Sequence, residues 1–316
     1  MNFIEANFEH SEHFQEAVSM WDLDFRILSK NNFSSFLSIY TNQKFQIGRT
    51  KLDGKIQQLG IRPKGFRTLV VPVHNANNFI WLNKKTDGKQ LLIFPENENI
   101  DAVSYTNFDV YVISIEESYL FETIEYLGYR NAKKYFGGSE KQINLSELFV
   151  KEFHQIADEF LYYVKSDKEN GLNHSIKAHT FQFDNIILYL LRFFENNEYR
   201  YIIKPKRRRR DIAMKKAVDL INNDLDVMPT ISQLCRYSGI SERTLEYAFS
   251  EKFQVTPKDY IKATRLNKIR VELLRNNSKD CKISNIALFN GFWHMGQFAA
   301  DYKKWFGELP SETLKR

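Results

Sequence analysis

At 316 residues, 43% hydrophobic and 15% aromatic, the chain is long enough for two ordinary domains and too short for three. Its mean hydropathy is −0.47, and no run approaches the roughly 18 uncharged apolar residues of a membrane span, so no membrane role is expected. Two cysteines, Cys235 and Cys281, cannot build a disulfide framework or a zinc site by themselves, which excludes those two ways of holding a small fold.

The opening stretch MNFIEANFEHSEHF carries Glu and His where a secretory leader would be apolar, so a cytoplasmic chain is expected. Short apolar or alternating runs then follow as far as about Ile115: FSSFLSIY, KFQIGRT, GKIQQLGI, TLVVPV, NNFIWLN, KQLLIFP and DVYVISI. Turn-forming LDGK, RPKG and TDGK punctuate them, and strands at this spacing predict a β-barrel or sandwich. From Glu116 to about residue 200 the apolar period lengthens to three and four, which predicts helices in EESYLFETIEYLGY, NLSELFVKEFHQIADEFLYYVK and IKAHTFQFDNIILYLLRFFENN. The last of these is apolar over more than one face and needs cover from the barrel or from a second subunit.

Residues 204–211, KPKRRRRD, bring six positive charges together and mark a boundary between residues 1–203 and 212–316. Beyond that boundary the charge balance changes sign. Residues 204–316 hold 23 basic and 13 acidic side chains, against 22 and 26 in residues 1–203. An excess of this kind is the footprint of a region that meets phosphate backbones, and Lys206, Arg207, Arg208, Arg209 and Arg210 are its candidate linker contacts.

Within 231–310 one pattern occurs twice. Ile231, Leu234, Cys235, Gly239 and Ile240 recur 52 places on as Ile283, Ile286, Ala287, Gly291 and Phe292. After one inserted residue, Leu245, Phe249, Phe253 and Pro257 recur 53 places on as Phe298, Tyr302, Phe306 and Pro310. Each copy predicts a short support helix, a glycine turn and a second helix, and the proline-started PKDYIKATRLNKIRVELLRNN joins them as one long helix. Thr230 and Gln233 have capping-box spacing, and Ser241 is placed to cap the second helix. The outer faces are left to Glu242, Arg243, Glu246 and Tyr247 in the first copy and to His294, Met295, Gly296, Gln297, Ala300, Lys303 and Lys304 in the second.

On these residues, 211–316 resemble the DNA-binding domain of the AraC/XylS family of bacterial transcription regulators, with IALFNGFWHMGQFAADYKKWFGELPSETL matching the signature region. The resemblance implies two helix-turn-helix units in successive major grooves, with base-edge contacts from Arg243, Glu246 and Tyr247 and from Met295, Gln297 and Ala300. Arg243 suits guanine, Glu246 cytosine and Gln297 adenine. Ala300 stands where many members have arginine, and Asn290 where many have cysteine.

For the first 203 residues the resemblance is architectural. It implies a cupin-like β-barrel with helices that senses an effector or forms a dimer, hence an α+β chain ending in an all-α double helix-turn-helix domain. Aromatic strand residues are candidates to line an effector pocket, Tyr40, Phe79, Trp81 and Tyr111 foremost. The expected partners are promoter DNA, RNA polymerase, a small effector and a second copy of the chain. The expected role is regulation of transcription, activation by family likeness; the alternative is a constitutive or architectural DNA-binding protein whose barrel only mediates association. No catalytic residues, metal site or cofactor are expected. The histidines form no H-x-H pair, both cysteines lie in the DNA-binding part, and no phosphate loop, G-x-S-x-G elbow or dinucleotide fingerprint occurs.

Overall fold

The computed structural model describes the chain apart from residues 1, 31–32, 74–78, 83, 87, 95–98, 137–140, 172–175, 197–208, 224–228 and 277–281. In chain order the elements are β1 (Asn2–Phe8), α1 (Ser11–Ala17), β2 (Asp22–Ile27), β3 (Ser34–Thr41), β4 (Phe45–Asp53), β5 (Ile56–Ile61), β6 (Phe66–Pro72), β7 (Ile80–Trp81), β8 (Lys84–Lys85), β9 (Gln90–Ile93), β10 (Ile100–Ser104) and β11 (Phe108–Glu116). Then come α2 (Glu117–Leu127), α3 (Arg130–Tyr135), β12 (Lys141–Asn144), α4 (Glu147–Glu169) and α5 (Ile176–Asn196). The C-terminal part is all helix: α6 (Arg209–Asn223), α7 (Ile231–Ser238), α8 (Glu242–Phe253), α9 (Pro257–Arg275), α10 (Ile283–Phe289), α11 (Met295–Phe306) and α12 (Pro310–Thr313).

The class is α+β. The strands form two antiparallel sheets, one in the order β1-β3-β4-β11-β6-β9-β12 and one in the order β2-β5-β10-β7-β8. β1, β2, β8, β10 and β12 add to the seven runs read from the sequence, and α1, α3, α6 and α12 add to the helices.

The large sheet is buried on both faces, and strand period decides which residue goes where. On β4, Phe45 and Ile47 face the helices, where the Phe45 ring stacks on Phe183 of α5 at 3.6 Å between centroids. The alternate residues Gln46, Gly48 and Thr50 face the second sheet. On β11, Tyr111 and Ile113 take the helix side, while Val110 and Val112 take the other. The helix side also holds a buried polar chain, in which Tyr40 Oη meets His179 Nδ1 at 2.9 Å and His179 Nε2 meets Asp167 Oδ2 at 3.0 Å.

The basic run departs from a plain linker. Arg209 and Arg210 already belong to α6, whose first turn carries Asp211, a favourable charge near a helix N-terminus. Lys206, Arg207, Arg208 and Cys281 lie outside the described residues.

Candidate nucleic-acid interface

The first helix pair is built as its spacing predicts. Thr230 Oγ1 accepts from the Gln233 amide at 3.3 Å while Gln233 Oε1 accepts from the Thr230 amide at 2.7 Å, closing the capping box of α7. Gly239 ends that helix at φ 72°, a left-handed conformation that side chains with a Cβ rarely adopt. Ser241 Oγ then caps α8 through the Thr244 amide at 3.3 Å. Leu234, Leu245, Phe249 and Phe253 are fully buried, which leaves Glu242, Arg243, Glu246 and Tyr247 exposed on the opposite side of α8.

The second pair repeats the core but not the caps. Ala287, Phe298, Tyr302 and Phe306 are buried, and Gly291 makes the turn at φ 79° with the Arg265 guanidinium close by. Neither Lys282 before α10 nor His294 before α11 makes a side-chain cap. His294, Gly296, Gln297, Ala300, Lys303 and Lys304 are exposed.

Met295 is not free for contact in the same way. It is half-buried against the core, because it continues the inward stripe of Phe298, Ala299 and Tyr302 at helical spacing. Exposed Trp293, 74% accessible just ahead of α11, was missed by the sequence reading, which counted outward positions only from the helix start. Arg210 sits over the Tyr247 ring at 4.9 Å and pairs with Glu251, so it shapes the edge of the first unit. Burial alone would raise the Asp301 carboxyl. Lys262 at 2.5 Å and the Gln297 side chain instead hold it below the usual carboxylate range, which ties α11 to α9 and orients Gln297.

The helix-turn-helix domain model matches residues 234–316. Over 104 residues the chain is 35% identical to XylDLEGF operon transcriptional activator 3 of Pseudomonas putida, covering 33% of this chain and 31% of that one. Over 102 residues it is 35% identical to a probable thc operon regulatory protein of Rhodococcus erythropolis, covering 32% and 31%. The solved structure of a probable AraC family transcriptional regulator from Rhodopseudomonas palustris is 34% identical, over 33% of this chain and 95% of that chain, with a TM-score of 0.31. The C-terminal helical region is an AraC/XylS-type domain. The chain spans about a third of the length of these two curated relatives.

The AraC-type domain is held against the second sheet. Asn267 of α9 donates to the Ile27 carbonyl at 2.9 Å and accepts from the Ile27 amide at 3.1 Å, satisfying the edge of β2. Trp305 Nε1 of α11 donates to the same carbonyl at 2.9 Å. Tyr260 donates to Gln57 at 2.7 Å, and Tyr105 donates to the Lys252 carbonyl at 2.6 Å. Lys252 meets Asp101 at 2.6 Å. Arg270, 5% exposed, bridges Glu12 of α1 and Glu308 at 2.7 Å each. Burial opposes the charge on Glu12, but Arg270 and Arg316 hold its carboxyl below the ordinary value.

The candidate pocket aromatics divide between the two sides of the large sheet. Phe79 and Trp81 line a cavity between the sheets. Tyr40 and Tyr111 lie on the helix side, since each is one strand position away from a cavity-facing residue. Among the described residues no group of three or more His, Cys, Asp or Glu could hold a metal ion, and no helix is long and apolar enough to cross a membrane.

Proposed function

We propose that this protein is a sequence-specific DNA-binding regulator of transcription, acting on promoter DNA in the cytoplasm and, by likeness to its relatives, as an activator that works with RNA polymerase. The carrying observation is the division of each reading helix. α8 and α11 bury one side against their own units and expose Arg243 and Glu246, Gln297 and Ala300, on the other. Arg243 pairs with guanine O6 and N7, Glu246 accepts from cytosine N4, and Gln297 reads adenine. Ala300 offers apolar contact to a thymine methyl, while Lys303 and Lys304, with Arg209 and the basic run before it, hold phosphates.

Regulation enters through the two-sheet domain, because its second sheet grips the helix that joins the two units. A dimer is the assembly we favour, supported by Tyr162 and Phe181 on α4 and α5, which are 74% and 71% exposed. The test is selection of binding sites from genomic DNA with the full-length chain at two salt concentrations. A motif of two blocks about one helical turn apart is the expected result. Salt-sensitive binding without a motif overturns it in favour of an architectural protein.

A further inference from the structure

The cavity between the sheets measures about 80 Å³, smaller than the roughly 150 Å³ engineered cavity that admits benzene. Its wall is aromatic and aliphatic, from residues such as Phe14, Phe25, Phe79, Phe108 and Val110, with Gln46, Thr50 and Gln58 as its polar members. Among the described residues no Lys, Arg, His, Asp or Glu lines it, so an ionic occupant would lose its hydration without compensation from them.

Two indoles line this space, and they differ in one respect. Trp21 Nε1 donates to Gln46 Oε1 at 2.7 Å, and the Gln46 amide is itself engaged by Thr41 at 3.0 Å. Trp81, 1% exposed, has an Nε1–H with no hydrogen-bond partner among the described residues. A buried donor left unmatched is rare in a folded protein and asks for an acceptor.

We propose that the cavity binds a small, uncharged, largely apolar molecule carrying one acceptor oxygen, of the ketone or ether class, which takes the Trp81 Nε1–H. This deepens the effector-controlled reading of the two-sheet domain and rests on it for its regulatory consequence. The wall that would report occupancy is the second sheet. On β5, Gln58 faces the cavity while Gln57 holds Tyr260, and on β10, Ile100 and Ala102 face it while Asp101 holds Lys252.

The test uses the full-length chain and acetone, its acceptor-free isostere isobutene, and acetate, all smaller than benzene, followed by calorimetry and by tryptophan emission. Acetone is expected to bind about fivefold more tightly than the isostere, as one hydrogen bond to an orphaned donor predicts, with acetate not binding. Trp81→Phe should bring the two neutral probes within about twofold by weakening only the ketone. Equal binding of both by the unaltered chain, binding of acetate as tight as that of the ketone, or no binding of acetone overturns the proposal. The ratio in the unaltered chain decides by itself if Trp81→Phe does not fold. DNA binding is measured on the same preparation. DNA binding without ketone binding removes this site and leaves the regulator reading, whereas ketone binding without DNA binding does the reverse.

Discussion

The two helix-turn-helix units share a core and differ at the start of the reading helix. In the first, Ser241 closes the N-terminus of α8 from within the chain. In the second, α11 begins at His294 with no side-chain cap, and a Cβ built on Gly296 would meet nothing within 4 Å. The unmatched amides of α11 are therefore open to an outside acceptor, and a DNA phosphate is the natural one. Repetition preserved the packing that each unit needs and left the terminus free to specialise.

Anchorage divides the units as well, and the largest expected effect lies there. Arg270→Ala leaves Glu12 and Glu308 without their buried partner and should cost about 3–5 kcal/mol in chemical denaturation, loosening the second unit from the two-sheet domain. The matching change in the first unit, Lys252→Met, removes one pair to the more exposed Asp101 and should cost about 2 kcal/mol. Equal losses would break the distinction.

On DNA, Arg243→Ala should weaken a cognate site by about 1–3 kcal/mol and relax one base preference; uniform weakening across sequences would make Arg243 a phosphate contact. The caps give a smaller and opposed pair. Ser241→Ala should destabilise the first unit by about 1 kcal/mol, whereas His294→Ser should stabilise the second by up to about 1 kcal/mol while weakening DNA binding at every sequence. A gain in stability with unchanged DNA binding would show that α11 does not use its open end.

Acid should act on the second unit through two carboxyls. Glu12 and Asp301 both sit below their ordinary values of 4.5 and 3.8 in the folded chain, so each contributes stability above those values. That contribution is lost as pH falls through the lower folded values. Urea midpoints followed downward in pH should fall less steeply in Glu12→Gln than in the unaltered chain; identical slopes would remove Glu12 from the account.

The paired units were legible because glycine turns and a helical apolar period repeat 52 to 53 residues apart, as at Gly239 and Gly291, while capping residues marked the helix starts of the first copy only. The faces of the large sheet were not. Both sides of β11 are largely buried, so alternation carries no polarity signal there, and Tyr111 reads no differently from Val110. The interface between the two halves was hidden for another reason. Asn267, Lys252 and Gln57 belong to residue types that are mostly exposed, and only their partners, distant in sequence, explain their burial. Arg209 and Arg210 read as linker because clustered charge masks a helix start.

The edge of β2 finds its hydrogen-bonding partners very late in the chain. Ile27 is matched by Asn267, 240 positions on, and by Trp305, 278 positions on. During synthesis this strand therefore keeps water as the partner of these Ile27 groups until residues 240 and 278 positions further on have been made. The sheet can pair with itself early, but its outer side is sealed only after the second reading helix has been made.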